Sequence, residues 1–277
     1  MRVFSLLRRV GALMKIIGEK INGTRKGVAK AIAERDAEYI KVLAVKQTEA
    51  GADWLDVNAG THPNQEPNDF IWLINQIQSV VETPLCLDSA NPHALRIAIG
   101  EIKKTPMINS ITGEPERLKS ILPIVAEHGC EVIALAMDDK KIPETYEKRW
   151  GVIERVLDAT RACGISDDKV FVDPLAMTVA TMNRSAMIAC DTIRAVHAKY
   201  PEMHFTVGLS NISFGLPARK QINRGFLILA MQAGLDSAIL DPLDRELQAA
   251  ILTTELLLGQ DKHCLNYVRA SRTGLFD

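Results

Sequence analysis

Eight times along this chain an apolar stretch of strand length ends on an Asp or Asn and gives way to a helical pattern. The stretches are Lys15–Ile21, Trp54–Gly60, Pro84–Ser89, Pro106–Thr112, Glu131–Asp138, Val170–Ala176, Thr206–Gly215 and Ser237–Leu243. Helical spacing predicts helices over Glu34–Ala50, Phe70–Val81, a segment opened by Pro92, Thr112–His128, a long segment ending at Cys163, Asn183–Tyr200, Arg224–Ala233 and Glu246–Leu258. Gly51, Gly129, Gly164, Gly234 and Gly259 stand just past helix ends, where a left-handed residue closes the last turn. Asn22-Gly23 and Leu216–Asn223 read as turn and loop, and the tail from Gln260 has no clear period.

Strand–helix alternation implies a parallel sheet with right-handed crossovers. Eight such units in 277 residues, close to the roughly 250 of one barrel, imply a closed α/β fold of the (β/α)8 TIM-barrel type. An open doubly wound sheet would need G-x-G-x-x-G after an early strand; neither that motif nor a P-loop occurs.

Composition narrows the partners. A net charge of −1 offers no basic field for nucleic acid or an anionic membrane, and no run of about 18 apolar residues exists to span one. The opening MRVFSLLRRVGAL is basic and apolar, but Arg8 and Arg9 interrupt the run and no small-residue cleavage site follows. Residues 1–14 read as a disordered or amphipathic extension, with Met14 a candidate start, and 15–277 as a single domain. Cys86, Cys130, Cys163, Cys190 and Cys264 are scattered without C-x-x-C, which suits reduced thiols in a cytoplasm. Neither they nor the six dispersed histidines have metal-ligand spacing, so no protein-bound metal is expected.

In a barrel the strand ends meet at one mouth. Asn22, Asp56, Asn58, Asp88, Asn109, Asp138, Asp173, Asn211 and Asp241 would gather there, with Lys20 on the rim. Such a mouth is rich in carboxylates and amides and holds neither an obvious nucleophile nor a Schiff-base lysine. It suits a ligand with adjacent N–H groups and ring nitrogens, such as the amino-pyrimidinone edge of a pterin. Helix capping is the competing reading for some of these residues. In Thr206–Gly215 (TVGLSNISFG), Gly208 leaves room for a ligand or a neighbouring backbone, and Asn211 offers an amide that donates and accepts.

GEKING near the start, CLDS at Cys86–Ser89, MINS at Met107–Ser110, Asp173-Pro174 and GLSNISFG at Gly208–Gly215 fall in order on these strands. Together they resemble the methyltetrahydrofolate:corrinoid methyltransferase family, which includes the folate domain of cobalamin-dependent methionine synthase. The resemblance runs from Lys15 to the last helix. It implies a dihydropteroate synthase-like, pterin-binding barrel, usually a homodimer, that moves a methyl group between N5 of tetrahydrofolate and cobalt. Matching motifs imply that Asp88, Asn109 and Asp173 hold the pterin, that Gly208 and Ser210 line its pocket and that Asn211 contacts N5. They imply further that Arg219 lies near the pterin or its glutamate tail. Glu19, Asn22, Asp56, Asn58 and Asp241 complete the expected site. Phe214 stands where some members of the family carry a polar residue.

Dihydropteroate synthases resemble this chain at strand seven but carry Ser-Arg-Lys where it has Ser210-Asn211-Ile212, which argues for methyl transfer. A pterin-binding scaffold without chemistry is the non-enzymatic alternative, and Asn211 counts against it. Asp261-Lys262-His263 begins the corrinoid-binding pattern D-x-H-x-x-G, but Asn266 replaces the Gly. The corrinoid is therefore expected on a partner protein. The direction favoured is toward tetrahydrofolate, as in O-demethylation or glycine betaine demethylation; the reverse would serve acetyl-CoA synthesis.

Overall fold

The computed structural model describes residues 14–138 and 142–277; the expected N-terminal extension, apart from Met14, lies outside the described residues. Eight strands run parallel: β1 (Lys15–Asn22), β2 (Trp54–Asn58), β3 (Leu85–Asp88), β4 (Met107–Ile111), β5 (Glu131–Leu135), β6 (Val170–Asp173), β7 (His204–Phe205) and β8 (Ser237–Leu240). Their order is β7-β6-β5-β4-β3-β2-β1-β8. The circle closes between β7 and β8 through Ile239 N donating to Val207 O at 2.9 Å and Ser237 Oγ donating to Phe205 O at 2.9 Å. This is the expected barrel.

Around it lie α1 (Lys26–Glu34), α2 (Ala37–Glu49), α3 (Glu66–Gln78), α4 (Pro92–Ala98), α5 (Pro115–His128), α6 (Tyr146–Ala162), α7 (Ser185–Lys199), α8 (Arg219–Ala233), α9 (Arg245–Leu257) and α10 (Leu265–Arg272). Their apolar stripes pack on the outward-facing strand residues to form the main core, as with Ile16, Leu55, Leu87, Ile108 and Val172. No helix among the described residues is long and apolar enough to cross a membrane.

Four expectations are corrected. The helix predicted over Glu34–Ala50 is α2 and starts later, at Ala37, because Arg35 turns left-handed (φ 55°) and Asp36 caps α2 by accepting Tyr39 N–H; a further helix, α1, precedes it. This earlier helix, α1, buries Val28, Ala31 and Ile32, a short i, i+3, i+4 stripe that is legible in the chain. The loop Leu216–Asn223 is shorter, since α8 already starts at Arg219. The tail folds as α10, whose Ala270 packs with Leu252 and Leu275, and Asp261 caps it by accepting Asn266 N–H and Tyr267 N–H at 3.0 and 2.9 Å.

The fourth correction concerns strand seven. Ladder bonding reaches only Gly208, bridged to Ile239. The chain then winds into a 3-10 turn, Leu209–Ser213, with Asn211 N–H donating to Gly208 O at 3.1 Å and Phe214 N–H to Asn211 O at 3.2 Å. Ser210, Asn211 and Ser213 belong to the residue types that favour local turns over a ladder.

Candidate active site

Side chains alternate across a strand, so one inward residue predicts the next two positions on. Inside the barrel Ile17, Trp54, Cys86, Met107, Ile133 and Phe171 form a buried apolar plug, backed by Leu135 and Ile239. Two residues beyond Ile17, Trp54, Cys86, Met107, Phe171 and Ile239 come Glu19, Asp56, Asp88, Asn109, Asp173 and Asp241. The polar mouth is thus the next inward layer above the plug, at the C-terminal strand ends.

Two carboxylate–amide pairs occupy its centre. Asn109 Nδ2 donates to Asp56 Oδ1 at 3.2 Å, and Asn58 Nδ2 donates to Asp88 Oδ2 at 2.9 Å. Asn58 Oδ1 is buried without a partner. Burial pushes the Asp56 carboxyl well up, and the neighbouring Asp88 adds to it. Burial also raises Asp88, opposed by the Asn58 amide and the Arg117 charge. The centre therefore holds an excess of buried acceptors over donors. A ligand edge carrying several N–H groups would supply what is missing.

Asp173 closes the next sector. It is 7% exposed, and its Oδ1 accepts Leu175 N–H at 2.7 Å. Burial lifts it to about 6, held back by Leu175 N–H, the Arg149 charge and Gly208 N–H. Asn211 is exposed beside this group, on the 3-10 turn. A Cβ on Gly208 would lie 2.8 Å from Asn211 Nδ2, so glycine makes room for the Asn211 amide itself.

Asn211 is mounted by its neighbours. Ser210 Oγ donates to Glu19 Oε2 at 3.1 Å, and Arg25 Nη2 donates to Glu19 Oε1 at 2.6 Å. Arg219 Nη2 donates to Ser210 O at 2.6 Å and its Nε to Ser213 Oγ at 3.1 Å. Arg219 thus spends these donors on the turn. Three other expected residues serve local structure. Asn22 Oδ1 accepts from Thr24 N–H and Oγ1, Asp138 pairs with Arg155 at 3.2 Å, and Asp241 pairs with Lys20 at 2.6 Å.

Sequence reading missed two arginines behind this layer. Arg117 donates to Ser89 O and Ser110 O at 2.9 and 2.6 Å, and to Ala90 O at 2.5 Å, bracing the ends of β3 and β4. Arg149 is fully buried and donates to Pro143 O, Pro174 O and Leu175 O. The signal was available: Arg149 lies on the buried face of α6 three, four and seven residues before Val152, Ile153 and Val156.

Residues 18–241 match the family described as pterin binding enzyme. The chain is 40% identical over 263 residues to a methylcorrinoid:tetrahydrofolate methyltransferase of Eubacterium limosum, covering 94% of this chain and 97% of that one. It is 32% identical over 241 residues to methionine synthase of Mycobacterium tuberculosis, covering 82% of this chain and 20% of that protein. A dihydropteroate synthetase solved with a product aligns at a TM-score of 0.68 and 15% identity, covering 89% of this chain and 94% of that one. Dihydropteroate synthase of Xanthomonas albilineans with 4-aminobenzoic acid aligns at 0.66 and 18%, covering 91% and 94%. Both structures speak to the fold alone. The sequence matches go further: this chain belongs to the pterin-binding enzymes and, within them, to the methyltetrahydrofolate:corrinoid methyltransferases.

Proposed function

We propose that this enzyme moves a methyl group from a corrinoid, carried by a separate protein, to N5 of tetrahydrofolate. The Eubacterium limosum relative's name reads in this direction, and on this proposal the demethylation of O-methyl compounds or glycine betaine would supply the methyl. The observation that carries the site assignment is the Asp56–Asn109 and Asp88–Asn58 cluster with its partnerless Asn58 Oδ1. Its surplus of buried acceptors fits the N–H-rich edge of a pterin, with Asp173 taking a further N–H. Gly208 and Ser210 line the same pocket.

The corrinoid supplies a carbon–cobalt bond whose electron pair stays with cobalt when the methyl leaves. N5 of the folate, a secondary amine, uses its lone pair to form the new C–N bond and then releases its proton. Asn211 serves this step in both directions. Its amide oxygen accepts a hydrogen bond from N5–H while positive charge grows there, the proton then passing to water, and its NH2 donates to the N5 lone pair in the reverse transfer. A contact that strengthens as charge develops lowers the barrier more than it tightens binding. Phe214, 68% exposed three residues beyond Asn211, leaves this rim open to a docking partner.

The test is spectroscopic. Methylcobalamin mixed with enzyme and tetrahydrofolate should lose its alkylcorrin spectrum as Co(I) appears, sharply more slowly with Asn211→Ala. Tight folate binding with no transfer from methylcobalamin or from the methylated carrier protein would sink the reading.

A further inference from the structure

The tripeptide Asp-Pro-Leu occurs at two strand ends, Asp173–Leu175 after β6 and Asp241–Leu243 after β8. In both, the Asp Oδ1 accepts the Leu N–H, at 2.7 and 3.0 Å. In both, a helix side chain grips the proline carbonyl: Arg149 Nη1 on Pro174 O, and Gln248 Nε2 on Pro242 O at 3.0 Å. One clamp is charged and the other neutral.

The difference tracks how each aspartate is balanced. Asp241 is partly exposed and meets Lys20 Nζ directly at 2.6 Å. Asp173 is buried, and Arg149 acts on it through the turn. Its register partner on β5 is Leu135, and the segment after β7 offers it the uncharged Gly208 N–H. Arg149, from α6, is the charged group that bears on it among the described residues.

Pro174 C=O and Leu175 N–H belong to one planar trans peptide and point opposite ways. A guanidinium on the oxygen polarises that peptide and strengthens the N–H bond to the carboxylate on its far side, the more so in a water-poor interior. Arg149 Nη1 also holds Leu175 O at 2.8 Å, keeping Leu175 at φ 61°, a left-handed conformation a leucine rarely adopts. Nε ties the same guanidinium to Pro143 O at 3.0 Å.

We propose that Arg149 is a positioning residue for pterin recognition: by clamping the Pro174–Leu175 peptide it commits one oxygen of Asp173 to the turn, aims the other at the pterin, and relays its positive charge to that carboxylate. This rests on the assignment of Asp173 to the pterin edge. Burial draws Arg149 down to about 10, so it remains a cation at neutral pH.

The experiment measures tetrahydrofolate binding to the full chain under anaerobic conditions from pH 5 to 8, with circular dichroism as a folding check. The variants are Arg149→Gln, Arg149→Lys, Asp173→Asn and the Arg149→Gln/Asp173→Asn double. Arg149→Gln, the arrangement already present at Pro242, should weaken binding about tenfold at pH 7 and move the acid limb of the profile to higher pH. In the Asp173→Asn background it should add less than about threefold, since both act on one contact. Asp173→Asn without effect on affinity would overturn the pterin assignment itself. An effective Asp173→Asn with an unmoved acid limb in Arg149→Gln would overturn the relay alone. If Arg149→Gln does not fold, Arg149→Lys decides: its ammonium keeps the charge but lacks the planar fork. Weakened binding with a wild-type acid limb supports the clamp, and wild-type binding refutes it.

Discussion

The two ends of the barrel interior solve the same burial problem in opposite ways. At the N-terminal end, charges are matched. Lys15 Nζ lies 5.3 Å from the Trp54 ring and 5.4 Å from Phe171, and His204 stacks on Phe171 at 4.6 Å. His204 Nδ1 meets Asp236 Oδ2 at 2.5 Å, while Asp236 Oδ1 accepts Phe205 N–H at 2.8 Å. Glu131 is raised by burial but has Lys15, His204 and Lys169 to oppose it. At the C-terminal end, Asp56 and Asp88 are buried against amides; burial raises both, Asp88 adds to the rise of Asp56, and Glu66 adds to that of Asp88. One end is finished as structure. The other is left short of donors, a local destabilisation that a ligand can relieve, as expected at the catalytic face of this fold.

Substitutions can sharpen that contrast. The largest effect should come from Asn211→Ala, which is expected to slow methyl transfer by about 10²–10³-fold, the loss typical of one transition-state donor. Folate affinity should change little, read by equilibrium binding beside stopped-flow corrin spectra. An equal loss in binding and rate would make Asn211 an ordinary ligand contact.

Asp88→Asn should separate stability from function. Folate binding is expected to weaken by about ten- to a hundredfold, while the free protein becomes more stable at pH 7, because a carboxyl raised by burial no longer has to ionise. Denaturant melts with and without folate give both numbers; lower stability in the variant would show that the mouth is balanced after all.

Asp173 should make pH act oppositely on folding and on binding. Its folded value near 6 lies above the roughly 3.9 of an unfolded chain. Between these values the folded protein holds a proton the unfolded one has released. This group therefore stabilises the fold most below pH ~4, and the contribution is lost as pH rises through 6. On the proposed assignment the pterin is held by the Asp173 carboxylate, so affinity should fall about tenfold per pH unit below 6 and level off above. A profile flat from pH 5 to 8 would remove Asp173 from recognition.

At the other end Lys15→Met should cost less than about 1 kcal/mol, the range of an aromatic–cation contact, and leave methyl transfer unchanged. A change in rate would show that the two ends are coupled through the plug.

Much of this was legible in the chain. Asp56, Asp88, Asn109 and Asp173 could be named because each stands at the end of an apolar strand, and in a barrel those ends meet at one mouth. Strand seven was misread because TVGLSNISFG is as apolar as a strand up to Leu209, and only the bond from Asn211 N–H to Gly208 O shows the chain turning. The motif puts Arg219 near the pterin or its glutamate tail; that its guanidinium also braces Ser210 and Ser213 is visible only in the fold.

The sequence by itself determined the number of units, the direction of the sheet and the polarity of the mouth, because period and punctuation are local properties of a chain. Tertiary structure alone decided which carboxylate meets which amide, that the Asn211 amide fills the space over Gly208, and that Arg149 reaches the turn after β6. Those pairings join residues up to 53 positions apart in the Asp56–Asn109 case. Long-range contacts are set by register and barrel closure, which no local pattern encodes. The two Asp-Pro-Leu turns make the same point: identical tripeptides, one held by a buried guanidinium and one by a neutral amide, told apart only by what the fold packs behind them.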